Sequence, residues 1–179
     1  VYGWGLLNME KAASVILNTD KTNSLTERTL QSGGSFTQNI TASGKGALTA
    51  TICWTDPEAA VSTVSVANLN NRTPKLVNDL DIKISDGTNA FLPFILNPDK
   101  PADLATRGDN IRDNVEQILI PDAVPGKTYT LTISHKGILK NTTQDYALII
   151  SGIGGKNYCA STPTTAQDNI ESVKFAGVN

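Results

Sequence analysis

Six oxygen-bearing side chains stand where strands of this sequence begin or end, and they are the residues best placed to do chemistry. Asp56 follows Leu48, Ala50, Ile52 and Trp54 at two-residue spacing, so it continues that apolar row just as the strand gives out. Asn78 precedes Leu80, Ile82 and Ile84 in the same phase, with Asp79 beside it. Asn114 and Glu116 precede Ile118 and Ile120 likewise, with Asp113 one step earlier. If successive strands run antiparallel, one strand end and two strand starts fall at the same mouth. The loop 97–113 opens there too, bringing Asp99, Asp103 and Asp109 within reach. Carboxylates gathered at a partly desolvated mouth repel one another, and an unpaired buried charge costs several kcal/mol. Arg112 answers one of them and hardly the set. A hard divalent ion with six to eight oxygen ligands suits this supply, and calcium is the expectation, with Asp56, Asn78, Asp79, Asp113, Asn114 and Glu116 as its candidate ligands. The competing reading is that these side chains cap turns through backbone N–H groups, as Asp and Asn commonly do.

Other reactive types are scattered. Asp79 and Asp81 lie two apart on one strand face, a spacing open to paired-carboxylate hydrolysis, but no sugar-stacking groove accompanies them. His135, the one histidine, follows Leu131 and Ile133 in phase and reads as a residue at the core's edge rather than a general base. Arg107-Gly108-Asp109 matches an integrin-binding tripeptide, a three-letter match expected by chance. Asn39, Asn71 and Asn141 fit the N-glycosylation pattern, which a Thr-rich chain produces readily. Cys53 alternates onto the face opposite the apolar row and Cys159 lies near the end of the chain; two free thiols are expected rather than a bond.

The elements that would hold these residues are mostly strands. Asn8 caps a short helix whose Met9, Ala12, Ala13, Ile16 and Leu17 form one apolar stripe. Residues 19–27 are polar and read as a connector. From about Arg28 to Ser151 the period is near two: a short strand with Phe36 and Ile40, then "ALTATICWTD", "LVNDLDIKISDG", "AFLPFIL", a long irregular stretch, and "VEQILI", "TYTLTIS" and "DYALIIS". Short strands, regular turn signals and no internal helix predict an all-β jelly-roll sandwich or barrel of roughly eight antiparallel strands. "GIGGKN" reads as a hinge, and residues 153–179 as a linker leading into a further module.

The bulk numbers narrow the partners. With 179 residues and a net charge of −2, the chain suits one well-buried domain with short appendages and offers no basic face for nucleic acid. No apolar run nears the roughly 20 residues of a membrane-spanning helix. A lone amphipathic helix of about three turns is marginal in water. The stripe at its start therefore implies a cover supplied by a larger parent chain.

Several of these segments together resemble a known arrangement. "YGWGLLNMEKAA" is similar to the closing helix of the subtilisin-like serine protease catalytic domain. "WTDP", "LVNDLDIKI", "RDNVEQILI", "PGKTYTLTISHKG" and "QDYALIISG" resemble, in that order, the β-domain that follows it in alkaline subtilases, a relative of the P-domain of kexin-type convertases. The tail from Tyr158 resembles the opening of GEVED-type modules of secreted bacterial proteins. The resemblance implies three parts: residues 1–27 from the end of a catalytic domain, residues 28–152 as the jelly roll, and residues 153–179 leading into a further secreted module. It implies a secreted or cell-surface protein and agrees with calcium. It also implies that the Asp, His and Ser of the protease lie upstream, since no Gly-Thr-Ser-Met turn occurs here. The expected role is a non-catalytic accessory domain that stabilises the protease and shapes substrate access. A glycan- or protein-binding jelly roll and a structural spacer are the alternatives. A glycan platform would want exposed aromatics in phase, whereas Trp54 sits in the apolar row and Tyr129 and Tyr146 are scattered.

Overall fold

The computed structural model describes residues 6–69 and 71–154. Helix α1 (Met9–Leu17) starts where Asn8 Oδ1 accepts the Lys11 N–H at 2.9 Å, and it stops at Asn18, which takes a left-handed φ of 44°. None of its residues is buried. Met9, Ala12, Ala13, Ile16 and Leu17 all face solvent, while Val15 on the other side is half-buried.

The connector expected to run to residue 27 is shorter, because strand β1 (Asn23–Gln31) begins inside it. Its inward side chains are Ser24, Thr26 and Arg28 before Leu30. No apolar alternation therefore announces the strand, and pairing with the far end of the chain creates it. The Asn18 side chain caps its open edge, donating to Asn23 O at 2.7 Å and accepting from Asn23 N–H at 3.0 Å.

β2 (Phe36–Thr41), β3 (Leu48–Trp54), β4 (Leu80–Ser85), β5 (Ala90–Phe91), β6 (Phe94–Ile95), β7 (Thr106–Arg107), β8 (Val115–Ile120), β9 (Thr128–His135) and β10 (Thr143–Ser151) follow. One sheet has the order β1-β10-β3-β8 and the other β2-β9-β4-β5, and every pairing is antiparallel. In chain order these eight strands alternate between sheets except at β4 and β5, which share one, and this is the two-Greek-key pattern of a jelly roll. The sheets stay open, so the fold is a sandwich and not a closed barrel. β6 and β7 make a separate two-stranded ribbon within the stretch that lacks sequence periodicity.

The core lies between the sheets. Leu48, Ile52, Ile118, Leu148 and Ile150 of the first sheet and Ile40, Leu80, Ile82, Leu131 and Ile133 of the second are all within 1% of full burial. Burying a side chain of this size contributes about 1.5–3 kcal/mol. The sandwich continues one residue past its expected end at 152, into the expected hinge: Ile153 is buried, bridges Ala42 and donates its N–H to Thr22 O at 3.1 Å. Most of the segment read as the next module, with Cys159, lies outside the described residues.

Candidate functional site

The strand phases do bring the expected residues to one mouth. It is built by the end of β3, the starts of β4 and β8, and the turn after β9. Within it, Asp56 spends both carboxylate oxygens on backbone, accepting from Val77 N–H at 2.7 Å and Asn78 N–H at 2.8 Å. This clamps the end of β3 to the start of β4, an Asp in its turn-capping role.

Asn78 is buried and committed on every side. Its Oδ1 accepts from Lys140 N–H at 2.7 Å and its Nδ2 donates to Gln144 Oε1 at 2.7 Å. Its carbonyl accepts the Trp54 indole N–H at 3.0 Å. Asn114 holds Trp54 from the other side, donating through Nδ2 to Trp54 O at 2.6 Å. Asp113 accepts from Asn110 Nδ2 at 3.0 Å. These four residues, Asp56, Asn78, Asp113 and Asn114, are thus each tied to protein partners.

The compensating cation is a residue that the sequence reading passed over. Lys136, one step beyond β9, places Nζ 3.1 Å from Asp79, 2.6 Å from Asp81 and 2.5 Å from Asp109. Its backbone N–H also donates to Asp79 O at 2.9 Å. Partial burial works against the ammonium, but hydrogen bonds to Asp109, Asp81 and Asp79 outweigh it and raise the Lys136 pKa. Burial in turn raises the pKa of Asp79 and of Asp81, against the pull of Lys136. Only the register reveals Lys136: β9 pairs with β4 so that His135 lies opposite Leu80. The next residue must then fall beside Asp79.

Among the described residues Glu116 is the most deeply buried ionisable side chain. It is fully buried, its Oε2 accepts the Ile82 N–H at 2.8 Å, and its Oε1 has no partner. β5 pairs with β4 only at Ile84 and Ser85, so the Ile82 N–H lacks a strand neighbour, and a carboxylate from the opposite sheet supplies the acceptor. Burial pushes the Glu116 pKa up to about 8, with Asp81 and Asp79 adding to the rise. A second carboxylate oxygen, Asp79 Oδ1, is likewise buried without a hydrogen-bond partner. Among the described residues, no group of three or more His, Cys, Asp or Glu side chains is arranged to hold a metal ion.

The remaining reactive residues have structural employment. His135 Nε2 accepts the Gly33 N–H at 2.7 Å, tying the β1–β2 turn to the end of β9. Arg107 stacks on Phe94 at 3.9 Å and donates to the carbonyls of Leu92 and Leu119. Arg107 and Asp109 are both exposed, but each is engaged within the fold, Arg107 on Phe94 and Asp109 on Lys136. Trp54, Tyr129 and Tyr146 are buried, which leaves no stacking platform from these three rings. Among the described residues no helix is long and apolar enough to cross a membrane. Neither a protein-family model nor a curated protein matches the chain.

Proposed function

We propose that this sandwich is the non-catalytic accessory β-domain of a secreted subtilisin-like serine endopeptidase, stabilising the protease and shaping access to it. The observation that carries this reading is helix α1. It is capped at both ends, yet its apolar stripe lies open, with Met9 68%, Ile16 56% and Leu17 72% exposed. A stripe of this kind in water wants a cover, and the resemblance of "YGWGLLNMEKAA" to the closing subtilase helix supplies one, the body of a catalytic domain. The ordered motifs of the sandwich support the same reading, as does a single histidine already bound to Gly33. The test is the coding sequence upstream. A Gly-Thr-Ser-Met turn with an Asp and a His in subtilase order is expected there, and its absence overturns the proposal.

Calcium belongs to this reading. The two orphan oxygens, Asp79 Oδ1 and Glu116 Oε1, are hard donors of the type the ion prefers. Asp79 and Glu116 are the two candidate ligands with a buried oxygen that lacks a hydrogen-bond partner, and the ion would add positive charge to that of Lys136. Saturation at 100 times the dissociation constant would add about 2.7 kcal/mol. A melting temperature unchanged between excess calcium and excess chelator, starting from metal-free protein, removes calcium from the proposal.

A further inference from the structure

The two outer faces of the sandwich differ in kind. On the β2-β9-β4 face every outward side chain is polar, in rows such as Thr37–Thr132–Lys83 and Asn39–Thr130–Ser85. This is the ordinary solvated side of an antiparallel sheet. The β1-β10-β3-β8 face is different. Its register sets Leu25 beside Ile149, two residues along β10 from Ala147, and it lines up Ala147, Cys53 and Val115 in one row; Leu119 lies four residues beyond Val115, with Gln117 between. Leu25, Ile149, Ala147, Cys53 and Val115 are adjoining positions, and contiguous apolar surface of this kind marks an interaction site. Between them stand Thr49, Thr51, Gln117 and Ser151, all uncharged.

The charges on this face fix the chemistry of what covers it. The charged outward side chains here are Glu27 and Asp145, both acidic and both toward the β1 side. A complementary surface is apolar at its centre, with a Lys or Arg facing Glu27. Four strands about 4.8 Å apart, over seven residues at about 3.4 Å each, make a face of roughly 19 by 24 Å, or about 460 Å². That is a little over half of the ~800 Å² that each partner gives to a standard interface, and the open stripe of the adjoining helix adds to it. The two are continuous, because α1, with its own open stripe, packs beside β1, the strand that borders this face.

We infer that the outer face of the β1-β10-β3-β8 sheet, together with α1, is the seat of the catalytic domain in the same polypeptide, which meets it with an apolar, basic-rimmed surface. This rests on the accessory-domain reading above and names which of the two sheets the protease covers. A second copy of the chain is the competing occupant. Two copies face to face would bring only acidic charges to the contact, which disfavours it.

Cys53 stands within this face and reports on it. Native-state alkylation by N-ethylmaleimide, read at the Cys53 peptide by mass spectrometry, is compared between the 179-residue chain and the full-length protein at one pH. The expected result is a rate at least ten-fold lower in the full-length protein. Equal rates in a full-length protein that does carry a protease domain overturn this inference and leave the accessory role standing. Protection that grows with concentration in the 179-residue chain, with a dimer by light scattering, makes a second copy the occupant and also overturns it. A full-length protein with no protease domain overturns both.

Discussion

Glu116 on β8 accepts the backbone N–H of Ile82 on β4 at 2.8 Å, so a side chain of one sheet takes the place of a missing strand on the other. Burial lifts the Glu116 pKa to about 8 from an ordinary 4.5. Between those values the folded chain keeps a proton that the unfolded chain has released. Stability from this residue is therefore complete below about pH 4.5 and is lost as pH rises through 8. With chelator present to exclude metal, the melting temperature should fall from pH 5 to pH 8.5. Glu116→Gln, which imitates the protonated form, should flatten that fall and be the more stable protein at pH 8.5, by an amount on the order of a few kcal/mol. Parallel curves for the two proteins would mean that Glu116 does not titrate in this range.

How much of this was legible in the sequence depends on which face carried the information. β3, β4 and β9 alternate cleanly, with mostly aliphatic and aromatic side chains inward and mostly polar ones outward, while outward Val115, Leu119 and Ile149 blur the pattern of β8 and β10; the phases still placed Asp56, Asn78 and Glu116 at one mouth. β1 was hidden because Ser24, Thr26 and Arg28 point inward, and its pairing with β10 joins residues more than 100 positions apart. Lys136 was hidden for a different reason. It lies past the last alternating residue, where phase stops being informative, and only the β4–β9 register carries it to Asp79. The uses found for Asp56 and Asn114 are backbone hydrogen bonds, whose acceptors and donors leave no mark in side-chain pattern.

Gly152 takes a φ of +79°, and a Cβ built there would lie 2.1 Å from Ala47 O. Two separate costs then follow from Gly152→Ala: a left-handed backbone without glycine, and a collision with a backbone atom that no side-chain rotation relieves. The expected loss is at least about 2 kcal/mol, read as a lower urea midpoint with unchanged slope. Gly87, at φ +92° with open space around its Cβ position, is the control. Gly87→Ala carries the backbone cost alone and should lose about 1 kcal/mol.

Lys136 holds three carboxylates, and its removal should matter most where all three are ionised. Asp79 and Asp81 already have raised pKa values because burial disfavours their charge, and Lys136 opposes that rise. A group with a raised folded pKa stabilises below its unfolded value and loses that contribution as pH climbs. Lys136→Met deepens the loss, because the acidic groups then repel one another without a counter-charge. The Lys136 side chain is 39% exposed, so solvent screens part of the effect, and the expected cost at pH 7 is about 1–3 kcal/mol. Near pH 3.5, below the raised range in which Asp79 and Asp81 titrate, the variant should approach the parent in stability. Urea denaturation at the two pH values measures the difference directly. A cost that is the same at pH 3.5 and pH 7 would assign the loss to the packing of the lysine stem, and the mouth would then owe little to its charges.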